Sequence, residues 1–380
     1  MKTMILLLVL ALLVPVPISQ AQPTPVECPL PPFQLPLQAP ARSEIDESGA
    51  LVVDGTPVEL PDGLTVRQQI WSDDGEVLLI SATSPEFDSR VFVYGDGELT
   101  ELLGADDLLA LRDEEFKDAV TLYDVTFIPG THTVLFNTEV LIGDPGGIFV
   151  EHPLDLWSLN LDSGELNEIY PYDEGGKFHI APDGQSVVLM NVDRIWQADI
   201  NGSNERTIFE GVVGMGLGHG YSHPPLAWDI AADIPTIRVL LFPSYDPNTT
   251  SAEVPFEIRE FVLGDEIEER TLLEGPVVFF PTVELSPDGM RAANWWWSNE
   301  NSAEAFDVTV YQPDAEPLVL DSFEIANQGG SAFIHWDDET HLTYGHIDEA
   351  NTVVSRRADL CGEITELEPY QSSMAEILSR

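Results

Sequence analysis

Lysine is almost missing from this sequence of 380 residues. Only Lys2, Lys117 and Lys177 occur, and with the arginines they bring the basic residues to 16 against 66 aspartates and glutamates, a formal charge of -50. A surface of that sign repels phosphate backbones and has no counterions to release from them, so nucleic acid is excluded as a partner class. Long apolar runs are missing too. The only extended one, Met4 to Val14, is about 11 residues, short of the roughly 20 that span a bilayer, and no transmembrane span is expected in the mature chain. Catalytic signatures are also lacking: there is no Gly-x-Ser-x-Gly elbow, no His-Glu-x-x-His, no phosphate loop and no dinucleotide fingerprint. Nothing nominates a nucleophile. What remains is ordinary for a folded protein, with 43% hydrophobic residues and a mean hydropathy of -0.02, which excludes a disordered chain and a multi-span membrane protein.

The start of the chain reads as an address. Lys2, the apolar run, Pro15, Pro17 and then Ser19-Gln20-Ala21 have the order of a secretory signal with small residues at the cleavage site, so residues 1–21 are expected to be removed and the protein to be secreted, periplasmic or part of the cell envelope. Glu27 beside Cys28 does not suit a lipidation box. In an oxidising compartment the two cysteines, Cys28 and Cys361, read as one disulfide that would join the two ends. An acidic, lysine-poor exported surface fits a saline exterior, and an ordinary habitat equally well.

Internal repetition decides the fold class. Six segments share an apolar strand, a tight turn rich in Asp, Pro and Gly, and a second apolar strand. They run from Gln69 through Ser72-Asp73-Asp74-Gly75 to Ile80, from Thr126 through Pro129-Gly130 to Phe136, and from His179 through Pro182-Asp183-Gly184 to Met190. The others run from Leu226 to Leu241, from Val283 through Ser286-Pro287-Asp288-Gly289 to Ala293, and from Phe333 through Asp337-Asp338 to Tyr344. Turn-to-turn spacing is roughly 50 to 55 residues, close to that of propeller blades. Most units continue with a second hairpin, such as Leu156 to Ile169 and Ile195 to Ile208. Four short antiparallel strands repeated six times predict an all-β, six-bladed β-propeller, with seven blades as the alternative if the hairpin around Asp54-Gly55 forms a partial one. The expected organisation is a signal peptide over 1–21, a Pro-rich segment and closing hairpin over 22–64, the propeller over 65–370 and a tail over 371–380. A helix is expected from Ala105 to Val120, where Leu108, Leu109, Leu111, Phe116 and Val120 share a face.

Ala181-Pro182-Asp183-Gly184, Ser286-Pro287-Asp288-Gly289 and the stretch from Ile195-Trp196 through Asp199 to Arg206 resemble the WD40-like, TolB-type propeller repeat. The same repeat occurs in the propeller domains of prolyl-oligopeptidase-type and dipeptidyl-peptidase-type enzymes. The resemblance covers about Thr65 to Tyr370 and is weakest in the fourth unit. It departs from TolB, which has a separate α/β domain ahead of its propeller, and from the peptidases, whose hydrolase domain has no counterpart here. It therefore implies a fold and leaves the activity open.

In such a ring the loops between units and the central loops within units share one face, and that face is the expected binding surface. The candidates it carries are Glu139, His152, His219, His223, Tyr245, Trp297 and Asp348. His219 and His223, four apart in a glycine-rich loop, could converge with His152 on a transition metal. Glycine content argues against the helix that would align them, so a plain connection stands beside that reading. A divalent cation is the one cofactor these loops could hold. Trp71, Trp157, Trp196, Trp228 and Trp336 recur at equivalent places and read as packing between blades, while Trp297 could stack a carbohydrate. The leading expectation is a monomeric, non-catalytic propeller that binds a protein or an extracellular polymer. The alternative is a metal-assisted lyase or hydrolase using the three histidines.

Overall fold

In a computed structural model, the residues described are 28, 30, 42–45, 50–112, 119–144, 147–151, 154–211, 215–217, 220–222, 225–243, 253–279, 282–299, 302–324, 331–347 and 352–371. Among them the chain is almost wholly β. Six sheets of four or five antiparallel strands follow one another along the sequence, each a meander whose strands pair in chain order apart from short additions in the second and sixth sheets. Their first strands are Thr65–Trp71, Ala119–Phe127, Lys177–Ile180, Leu226–Trp228, Val283–Leu285 and Ser331–Trp336. A three-stranded sheet, Ser43–Ile45, Leu51–Val53 and Thr56–Val58, precedes them, its hairpin turning at Asp54 and Gly55, both at positive φ.

The tight turns explain why the repeat is spelled as it is. In each sheet the residue before the turn donates its amide back across it: Ser72 to Val77, Ile128 to Thr133, Ala181 to Ser186, Asp229 to Thr236, Ser286 to Arg291 and Asp337 to His341. The aspartate two positions after this residue accepts the amide of the residue two further on, as Asp74 does from Glu76, Asp183 from Gln185 and Asp288 from Met290. Glycine then takes the left-handed conformation, at φ 69° in Gly75, Gly184 and Gly289 alike, where a side chain would be strained.

The core is divided between sheets. Leu51 and Val53 pack with Leu78, Ile80 and Phe92 of the first sheet; Leu79 and Val91 pack with Phe127 and Phe136 of the second. Leu135 and Leu156 continue to Leu189 and Trp196 of the third, Val188 and Ile195 to Val239 and Phe261 of the fourth, Leu240 and Phe256 to Val283 and Leu285 of the fifth, and Phe306 and Val308 to Trp336 and Tyr344 of the sixth. Leu30 lies against this last cluster, and Cys28 is bonded to Cys361 with Cα atoms 5.8 Å apart. Each pair of successive sheets thus shares one apolar seam. This succession is the architecture of a β-propeller. The recurring tryptophans lie in these seams, Trp196 fully buried and edge-on to Tyr170 at 6.2 Å; truncating such a residue to alanine costs about 3 to 5 kcal/mol.

Two expectations change. The helix covers only Ala105–Ala110, and Ala119 and Val120 already belong to the strand Ala119–Phe127. Pairing of Val120 with Val140 and of Leu122 with Thr138 in the sheet, with both apolar side chains in the same core cluster, wins over the helical spacing, and beyond the helix the buried guanidinium of Arg112 reaches Asp155 at 3.6 Å. Within the glycine-rich segment, Met215–Leu217 pairs with Gly220–Ser222 where a plain connection was expected.

Candidate functional site

Of the loop residues singled out by sequence, His152, His219, His223, Tyr245 and Asp348 lie outside the described residues. Trp297 is in the strand Ala292–Asn299, opposite Phe306. Glu139, expected on a loop, lies within the strand Thr133–Asp144, is 7% exposed and pairs with Arg67 of the first sheet at 2.9 Å. Beside it, burial and the charges of Asp124 and Glu139 push the Tyr123 phenol up to about 12.

Among the described residues, one group that could hold a metal ion lies at the turn end of the sheets: Asp74, Glu76 and His132, whose ligand atoms all lie within 4.8 Å of one another. His132 Nε2 is 3.1 Å from Asp74 and Nδ1 is 2.9 Å from Asp162, so one imidazole joins the first sheet to the second. These carboxylates raise the histidine above its usual range. Asp74 is lowered to about 2 by hydrogen bonds from Ser72 and the Glu76 amide. The Asp74–His132 contact is therefore charged on both sides from about pH 2 up to the raised histidine value. Its contribution to stability is fully present below the unfolded histidine value of about 6.5 and is lost as pH rises through the raised folded value. His132→Gln is expected to lower the urea midpoint at pH 5.5 and leave it unchanged at pH 9; an equal loss at both would mean that the charge is irrelevant.

A second place lies among the first strands of three successive sheets. A cavity of about 150 Å³ is lined by Pro225, Leu226, Ala227, Glu284, Leu285, Ser286, Pro287, His335 and Trp336. Counting back from the turn residues, Ala227, Glu284 and His335 occupy the same register position, as His179 does in the third sheet. Lys177 of the third sheet acts electrostatically on Glu284 of the fifth. Burial pushes the Glu284 carboxyl up to about 7. Its backbone carbonyl accepts the Trp336 indole N–H at 3.3 Å, which fixes the aromatic wall. Sequence analysis passed over Glu284 and His335 as ordinary strand residues. The available signal was their register: two polar side chains where the first and fourth sheets have Ile70 and Ala227.

The described arginines are nearly all paired within the molecule. Eleven of the twelve described arginines are ion-paired to carboxylates, from Arg42 with Asp54 to Arg357 with Asp337. The twelfth, Arg206, bonds Gln197 and the carbonyls of Leu263 and Gly264. Among the described residues, Lys177 is the one further cation to set against the excess of carboxylates.

No family model matches the sequence, and no curated protein does. Among solved structures, a prolyl endopeptidase is similar at 11% identity and a TM-score of 0.49, over 86% of this chain and 45% of that one. The dihydro-haem d1 dehydrogenase NirN is similar at 12% and 0.45, over 86% and 64%, and a putative TolB from Agrobacterium tumefaciens at 15% and 0.31, over 60% and 76%. The chain thus spans less than half the length of the endopeptidase. Likeness at this level says nothing about chemistry.

Proposed function

We propose that this is an exported, non-catalytic propeller that binds a basic protein or a cationic extracellular polymer through its loop-bearing face. The observation that carries the reading is the consumption of the described arginines in internal pairs within a chain of charge -50, which leaves a field that attracts cations and repels acidic partners. The single disulfide and the signal-like start support export. Six blades are proposed, with the three-stranded sheet and the Cys28–Cys361 bond as the closure between the sixth and the first; the seams shared between successive sheets support this arrangement.

The test is capture from an envelope extract on the immobilised protein at low salt, followed by elution at about 0.5 M salt, where the Debye length falls to a few ångströms. Basic proteins or polymers are expected in the eluate. Capture of acidic material, or of nothing that salt releases, would remove the reading.

A further inference from the structure

The contact between the first two sheets at their turn end brings more carboxylate together than one histidine can serve. His132 stands between Asp74 at 3.1 Å and Asp162 at 2.9 Å, on opposite ring nitrogens. A neutral imidazole has one N–H. Whichever nitrogen carries it, the other turns a lone pair toward a carboxylate oxygen, a repulsion that a cation on that nitrogen removes. The cation is either a proton or a metal ion. The two sides of the ring differ in what they offer. On the Asp74 side a second carboxylate, Glu76, joins in, and the ligand atoms of the three residues lie within 4.8 Å of one another; Asp162 stands outside that group.

These groups are held in advance. Asp74 Oδ1 accepts the Ser72 hydroxyl at 2.6 Å and the Glu76 amide at 2.9 Å, which leaves Oδ2 turned to the histidine. The two turns are also joined independently of His132, by the Gly130 amide donating to Asp73 at 3.1 Å. Glu76 serves the turn through its amide alone: Gln185 and Met290 take the same place in the third and fifth sheets and donate in the same way. Its exposed carboxylate is therefore available as a ligand without cost to the turn. Tetrahedral zinc, with bonds of about 2.0 to 2.2 Å, sets neighbouring ligand atoms roughly 3.3 to 3.6 Å apart. The 3.1 Å between Nε2 and Asp74 Oδ2 is close to that edge. Asp162 on Nδ1 then completes the carboxylate–imidazole–metal arrangement, in which the outer acid fixes the tautomer and the ring orientation. An imidazole in the set disfavours calcium and magnesium, which take oxygen ligands, and favours a transition metal.

We propose that Asp74, Glu76 and His132 bind one zinc ion, with Asp162 as the outer carboxylate that orients the imidazole and water in the remaining position. The ion bridges two sheets, since Asp74 and Glu76 come from the first and His132 and Asp162 from the second. The net charge of -50 draws cations to such a place. This site is independent of the basic-partner reading, and neither needs the other.

The experiment titrates zinc by calorimetry, at neutral pH, into untagged protein freed of metal with chelator. Calcium is present in excess throughout, to occupy carboxylates that take any cation. The wild type is compared with Glu76→Gln, Asp162→Asn and the double variant His219→Ala, His223→Ala. One zinc per chain is expected on the wild type. Asp162→Asn should weaken it about 10- to 100-fold, the usual effect of losing an outer carboxylate, and Glu76→Gln, which removes a ligand but keeps the Asp74–His132 contact, at least as much. The double histidine variant keeps the wild-type affinity. At a hundredfold excess of zinc over its Kd the thermal midpoint of the wild type should rise by about 5 °C, and that of Glu76→Gln by less. Proton and metal compete for Nε2, so the urea comparison of His132→Gln belongs to protein kept in chelator. Zinc lost from the double histidine variant and retained by Glu76→Gln would move the site to the glycine-rich segment and overturn the proposal. Binding that no variant alters is what scattered carboxylates give, and it would overturn the proposal too, as would the lack of any stoichiometric zinc in the presence of calcium. Each of these failures leaves the basic-partner reading standing.

Discussion

Breaking the bond between Cys28 and Cys361 is expected to lower the thermal midpoint by about 10 °C, the largest effect of any covalent change open to this chain. The bond spans 333 residues, and the chain-entropy relation for a loop of that length gives roughly 5 to 6 kcal/mol, with about 2 to 5 kcal/mol typical when a native disulfide is removed. At about 2 to 4 °C per kcal/mol for a domain of this size or somewhat smaller, that is the stated shift. The mechanism follows from the succession of sheets. Each seam from the first sheet to the sixth is a shared apolar cluster, and the bond fastens the segment carrying Leu30 onto the last of them. Calorimetric scans of the wild type with and without reductant, beside the double variant Cys28→Ser, Cys361→Ser, measure it. A change of less than about 1 kcal/mol would mean that packing alone holds the ends together.

Arg238→Ala is the second large expected loss, about 3 to 5 kcal/mol, the usual result of stranding buried partners of an ion pair. Arg238 lies in the second strand of the fourth sheet, almost fully buried. It bonds Asp229, meets Glu260 at 2.9 Å and donates to the Asp288 carbonyl of the next sheet at 2.6 Å. Its stem packs where a side chain on Gly289 would stand. Without it, Arg270 alone faces Glu260, at 2.6 Å, and Asp229 has no cation. Urea unfolding should show the midpoint falling. Neutralising the acids as well, with Asp229→Asn and Glu260→Gln on the alanine background, should recover part of the loss. No recovery would assign the effect to the lost stem contacts instead of to charge.

Sequence analysis anticipated the strands and turns because their causes are local. An aspartate that accepts the amide two residues on, and a glycine at positive φ, are visible as Ser-Pro-Asp-Gly, and the strands on either side alternate as pleated strands must. The pairing of Cys28 with Cys361 followed from there being only two. The helix failed beyond Ala110 because its continuation competes with long-range pairing: Val120 sits opposite Val140 in the second sheet, a partner that no local pattern displays. Glu139 was misplaced for a related reason, since the strand Thr133–Asp144 runs on past the apolar stretch and sets Glu139 opposite Thr121 and against Arg67. Glu284 and His335 were overlooked because a single polar residue in a short strand has no meaning until the sheets are brought round a common axis. Only aligning the repeats by their turn residues puts the two together.

The turn end of the molecule is stitched from one sheet to the next: Arg42 to the Gly75 carbonyl, His132 to Asp74, Arg238 to Asp288 and Arg291 to the Glu339 carbonyl. The last two of these ties flank the hollow next to Glu284, which the turn residues Ser286 and Pro287 help to line. Its width is therefore set by bonds between neighbouring sheets, and a ligand would meet a preorganised shape there.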